Sequence, residues 1–205
     1  MTDKHSHTMT QSVGILAYGS LISDPGTEIE AATVRIIEDV ETPFCVEFAR
    51  SSSSRGGAPT LIPVSTGGLR VNGHIILVNA STDEASDMLY RREIHNVGSG
   101  KSYKEPSEGA QGSVRVKIVE PPFEDFATTL YTHIDANIVD LNAENLASLA
   151  IASVCGAEAG KDGISYLIAA KGHGIRTALS DAYADEILRQ TRTSSLDEAL
   201  RSVSR

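Results

Sequence analysis

Residues 13–18, Val-Gly-Ile-Leu-Ala-Tyr, form an apolar run with no polar alternation, the pattern of a strand buried on both faces. Residues 33–40 and 42–50 are rich in Val, Ile and Phe and predict two more strands, with Pro43 marking an edge or a strand start. Apolar runs at 60–64 and 69–79 predict a further pair, the second with a bulge at Gly73. Residues 113–119 alternate cleanly, and 126–134 complete the set.

Among these strands the helical period is clear once. Ser81-Thr-Asp-Glu84 is a capping box, Ala85, Leu89 and Glu93 recur every fourth residue, and Asn96-Val-Gly98 provides a stop. Beyond residue 138 the period becomes helical throughout. Residues 142–154, 162–170 and 180–190 predict helices, the third with Ser180 as its cap, and Ser194-Ser195 opens a last one.

Many short strands with one helix between them predict an α+β chain built on a small mixed β-barrel, closed or partly closed. The helices after 138 form an extension packed on it, either covering one mouth or completing the core. The implied organisation is a frayed tail over 1–12, a barrel domain over 13–137 and a helical extension over 138–205.

Composition narrows the partners. In 205 residues with a formal net charge of -9, the balance argues against nucleic acid or an anionic membrane surface. Aromatic residues are only 5% and Trp is absent, so aliphatic packing must carry the core. No apolar run reaches the length of a membrane span, and the first residues lack an apolar signal core, so a reducing, cytoplasmic setting is expected. Cys45 and Cys155 show no ligand spacing. Nor do His74, His95, His133 and His173, so neither a metal nor a cofactor is expected. Cys155 and His173 are residue types for a nucleophile and base, but nothing in the pattern joins them.

Candidate chemistry gathers at three places. The first strand ends at Tyr18-Gly19-Ser20-Leu21, where Gly19 lets the chain bend so that successive N–H groups converge on an anion. Glu93 ends the apolar stripe of the capped helix, with Arg91 and Arg92 turned from its centre. It is either a proton-transfer carboxylate or a solvated, salt-bridged end residue. Arg55 lies in the loop 51–59 beside two glycines, as a fork for a carboxylate or part of a solvated linker. Residues 95–106 are polar and Gly/Ser-rich, and suggest a flexible lid from which Tyr103 closes on a ligand. Gly98-Ser-Gly-Lys-Ser102 is not a phosphate loop: His95 occupies the position of the first glycine, and a helix rather than a strand precedes it.

Tyr18-Gly19-Ser20-Leu21, with Arg92-Glu93 at the end of the intervening helix, resembles the gamma-glutamylcyclotransferase superfamily over residues 13–135. The resemblance implies cleavage of a gamma-glutamyl amide by its own alpha-amino group, giving 5-oxoproline and a free amine without metal or covalent intermediate. It implies Glu93 as the proton-transfer residue and Tyr18, Gly19, Ser20 and Leu21 as the substrate loop. Many members carry Asn where this chain has Leu21, so one substrate contact is missing or comes from elsewhere, Arg55 being the candidate. A module that keeps the pocket without the chemistry is the alternative.

Overall fold

The computed structural model describes residues 13–123 and 128–204. The tail read over 1–12, the start of the strand read over 126–134 and the last residue lie outside them. The first strand, β1 (Val13–Ala17), is buried at every position. It leads through Tyr18-Gly19 into two short helices, α1 (Ser20–Ser23) and α2 (Thr27–Ala32). Asp24-Pro25-Gly26 between them is a strong turn signal, and the sequence pattern gives neither helix.

Next come β2 (Thr33–Glu41), β3 (Val46–Ser52), β4 (Ala58–Pro63), β5 (Asn72–Val78), α3 (Thr82–Glu93), β6 (Arg115–Ile118) and β7 (Thr129–His133). The capping box of α3 is formed: the Ser81 side chain accepts from the Glu84 N–H, and Glu84 accepts from the Ser81 N–H at 2.8 Å. Helices α4 (Ala143–Ser153), α5 (Gly163–Gly172), α6 (Ser180–Thr191) and α7 (Leu196–Val203) end the chain. Ser180 does not cap α6. It lies inside the helix, and its Oγ accepts the Thr177 N–H at 2.7 Å. Among the described residues no helix is long and apolar enough to cross a membrane.

The strands form a five-stranded sheet in the order β2-β5-β1-β7-β6 and a separate two-stranded sheet, β3-β4. β1 and β7 are parallel and the remaining pairs antiparallel, so the carboxyl ends of β1 and β7 lie side by side. The expected bulge falls on β2 rather than at Gly73: the register shifts between Ile37 and Val40, and Asp39 has φ 58. Gly73 serves a close approach instead, since a Cβ there would lie 2.7 Å from the Ala17 carbonyl oxygen. The loop read over 51–59 is the ordered turn of the β3-β4 hairpin, closed by the Ser51 hydroxyl donating to the Gly57 carbonyl at 2.8 Å.

Among the described residues the strands do not close into a barrel. Among the described residues the hairpin is bridged toward the large sheet only at Val46 and Leu69, just ahead of β5, where the Val46 N–H donates to the Leu69 carbonyl at 2.8 Å. The cause is competition for the hairpin. Its Val46, Phe48 and Leu61 share one continuous core with Leu146, Ala150, Ile164, Leu167 and Ile187 of the helices, which draws it away from the sheet edge. The C-terminal helices therefore complete a core. α2 and α3 cover one face of the large sheet through Ile29, Ala85 and Leu89. The other face packs Leu16, Ile75 and Val119 against Phe44 and Tyr131.

The bond between hairpin and helices has a polar centre. Glu47 is 1% exposed. Its carboxylate accepts from the Phe48 N–H at 2.9 Å, the Thr177 hydroxyl at 2.6 Å and the Leu179 N–H at 3.1 Å. Three donors, one from β3 and two from the segment before α6, converge on one buried acid; removing it strands the two N–H groups and leaves the Thr177 hydroxyl only Ser180 Oγ at 2.9 Å. Glu47→Ala should lower the unfolding free energy by about 3 kcal/mol in urea titration. A loss below about 0.5 kcal/mol would contradict this role.

Candidate functional site

The site lies at the paired carboxyl ends of β1 and β7. Gly19 has φ 61 and ψ -135, the geometry of the first central residue of a II′ turn, which glycine adopts freely. A Cβ there would stand 2.6 Å from the Tyr166 hydroxyl of α5, so the position is closed to side chains twice over. The Ser20 and Leu21 N–H groups lie at the head of α1, where neither has an intrahelical acceptor. Leu21 itself is buried, packed toward Ile29, Ala85 and Leu89.

A cavity of about 60 Å³ opens at this tip, and its walls include Tyr18, Ser20, Leu21, Arg92, Glu93, Thr132 and Tyr166. The structure thus brings the strand tip and Glu93 to one small space. Glu93 is partly buried, its side chain 25% exposed. Arg92 does not turn away, as the helical period suggested. Its Nη1 donates to Glu93 Oε1 at 2.8 Å, its Nη2 to Ser20 Oγ at 3.1 Å, and its Nε and Nη2 to the Asp24 carbonyl at 2.9 and 2.7 Å. One guanidinium fixes the acid and the loop relative to each other. Oε1 is taken, and Oε2 has no protein partner among the described residues.

Arg91 acts in parallel. It holds Glu28 of α2 through a 2.6 Å ion pair, and Glu28 also accepts the Gly98 N–H at 2.6 Å. The guanidinium keeps the Glu28 carboxyl below the usual range. Both arginines therefore tie the end of α3 to the segment after β1.

Tyr18 forms the inner wall. Its hydroxyl donates to the Thr132 carbonyl at 3.2 Å, and its ring meets Phe44 edge-on, with centroids 5.9 Å apart. Burial, then the Glu93 charge, push its pKa well up, so it stays a neutral donor. Tyr166 was not anticipated. Its hydroxyl accepts the Leu61 N–H at 3.4 Å, and burial raises its pKa against the opposing pull of that N–H and of Arg55.

Two expected residues lie elsewhere. Arg55 stacks on the outer face of Tyr166, 4.9 Å from the ring centre, and donates to the Lys161 carbonyl at 3.2 Å. It lines an adjoining cavity of about 210 Å³ that shares Ser20 and Tyr166 with the first. Tyr103 is not on the cavity wall. Its N–H donates to Asp87 at 2.6 Å, its hydroxyl donates to Glu105 and accepts the Val116 N–H, and its pKa is pushed up to about 12, mainly by burial. The segment 95–106 is strapped to α3 rather than poised as a lid: Arg91 donates to the Lys101 carbonyl at 2.8 Å, and His95 pairs with Ser54 at 3.1 Å. Cys155 is exposed, and His173 shares its Nε2 with the Ser23 hydroxyl at 2.7 Å. Among the described residues no group of three or more His, Cys, Asp or Glu side chains is placed to hold a metal.

The helical period turns Arg92 away because two of its three partners, Ser20 and Asp24, lie about seventy positions away, where no local pattern gives the backbone path. Tyr166 carried no signal beyond its place in an apolar helix.

Gly19→Ala should cost about 1–3 kcal/mol of stability, because both the backbone geometry and the Tyr166 contact oppose it. Gly67→Ala is the matched control, with φ 71 and nothing within 4 Å of its Cβ position. Equal losses for the two in urea unfolding would show that the Tyr166 contact carries no weight. A scan of protein-family models finds no match to the chain, and no curated protein matches it.

Proposed function

We propose that the chain is a metal-independent gamma-glutamylcyclotransferase-like enzyme that converts a gamma-glutamyl amide into 5-oxoproline and a free amine. One observation carries the reading: Glu93 lines the same cavity as Tyr18, Ser20 and Leu21, while Gly19 between them lines the adjoining one. The five-stranded sheet with its bridged hairpin is read as an opened form of the barrel that the resemblance implies.

In this reading the Ser20 and Leu21 N–H groups hold the glutamyl end so that its alpha-amine faces its own side-chain carbonyl. That placement replaces a free encounter with ring closure. Glu93 Oε2 takes the proton from the attacking ammonium. The amine nitrogen bonds to the side-chain carbonyl carbon, the amide C–N bond breaks, and Glu93 returns the proton to the leaving nitrogen, while the second proton shed by the ring nitrogen passes to the freed amine, which leaves as an ammonium. The same N–H groups oppose charge growing on the carbonyl oxygen. Arg92 is the positioning residue, holding acid and loop in register.

A volume of about 60 Å³ holds roughly two waters and is too small for a glutamyl group. Tyr166 stands between this space and the cavity of about 210 Å³ beside it. Rotation of its ring joins them, and substrate entry requires that motion. The same observation favours a second reading, a non-catalytic module that binds a small acid. The small cavity and the engaged Oε1 of Glu93 suit a site that binds without turnover.

A panel of gamma-glutamyl amides assayed for 5-oxoproline separates the two. The enzyme reading expects product with at least one of them and a drop of about 10²–10⁴-fold in Glu93→Gln. Thermal stabilisation by small acids with no product selects the binding module. Equal turnover by both proteins contradicts the role given to Glu93.

A further inference from the structure

A third cavity, about 710 Å³, shares no lining residue with either of the other two. It opens between the two sheets. β3 contributes Arg50, β6 contributes Arg115 and Lys117, and the end of β7 contributes His133 and, just beyond it, Asp135. Arg115 faces His133 across the β6-β7 ladder, and Lys117 lies two residues along on the same face. In a chain of net charge -9, this places three permanent cations around one groove.

The charges do not cancel within it. Asp135 is the one carboxylate of the lining and is already engaged: Oδ2 lies 3.6 Å from Arg115 Nη1 and accepts the Gly112 N–H at 3.2 Å. Arg50 donates from Nη1 to the Asp135 carbonyl at 2.7 Å, a contact that leaves its charge unneutralised and its other donor edge without a partner among the described residues. Lys117 has no ion pair among the described residues. Among the described residues two positive charges, those of Arg50 and Lys117, therefore remain without an ion-pair partner along the groove. Low-dielectric walls focus such a field on the space between them. The His133 ring lines the same groove, and its buried Nδ1 has no partner among the described residues.

We propose that this groove is a second ligand site, which binds a small oxyanion carrying two negative charges, held between Arg50 and Lys117. A monoanion would leave one cation unmatched. The shared chemistry belongs to phosphates and to dicarboxylates. The proposal stands independently of the reading given to Glu93.

The histidine supplies an internal reporter. Burial, then Lys117 and, more weakly, Arg115, push its pKa below the usual 6.5, while Asp135 pulls it up. Arg50 lies across the groove and adds to the positive field. An anion bound there offsets these cations, so the His133 midpoint must rise on binding.

Calorimetric titration of the full chain at pH 8 with inorganic phosphate, succinate and acetate tests the site. At least one of the first two binds, acetate binds at least about tenfold more weakly, and the tighter of the first two names the chemical source. Lys117→Ala, an exposed change that leaves the fold intact, and Arg50→Ala each weaken binding about tenfold. Arg70→Ala, outside the groove, leaves it unchanged. By NMR the His133 midpoint rises on saturation, while that of His74 stays in place. No binding of either dianion, equal binding of acetate, or wild-type affinity in Lys117→Ala would overturn the proposal.

Discussion

The Arg92 guanidinium is the constraint on which the site depends. Three of its nitrogens reach four contacts: the Glu93 carboxylate, the Ser20 hydroxyl and, twice, the Asp24 carbonyl. A planar fork can serve the end of a helix and a loop at once, where an ammonium serves a point. Its side chain is 12% exposed, so little solvent competes for these bonds. The neighbouring Arg91 clamps α2 by the same means. Together the two fix the distance between the acid and the tip of β1, which apolar packing alone would leave loose.

That tip is also where the packing regions meet. Tyr18 touches both the hairpin–helix core and the inner face of the large sheet, while Ile22 joins the hairpin–helix core to the layer beneath α3. The site therefore sits at the junction of three apolar clusters rather than on any one of them. The C-terminal helices reach it through Tyr166, whose hydroxyl fills the space that a side chain at residue 19 would need. The buried Glu47 holds those helices on the hairpin. A residue far from the cavity thus supports its wall.

Much of this was legible in the sequence, for local reasons. The unbroken apolar run of β1 and the capping box with its fourfold period placed a strand and a helix, and Glu93 followed from the period. Helices α4, α5, α6 and α7 were readable in the same way, though not the cap of α6. What failed was set by distant partners. The short helices after Gly19 hid behind Asp24-Pro25-Gly26, a strong turn signal. The hairpin's allegiance to the helices rather than to the sheet depends on contacts across a hundred residues, so the strand count pointed to a barrel. Arg55 and Tyr103 had suitable chemistry, but their neighbours, Lys161 and Tyr166 for one and Asp87, Glu105 and Val116 for the other, decided where they point.

The account rests on one small molecule touching both the carboxylate of Glu93 and the amides at the tip of β1. A crystal structure of the chain with 5-oxoproline examines this most directly. The account places the lactam beside Glu93 Oε2, with an oxygen within hydrogen-bond distance of the Ser20 or Leu21 N–H, and the Tyr166 ring turned from its present position. A lactam bound elsewhere, or a Glu93 cavity unchanged at saturating ligand, would contradict it.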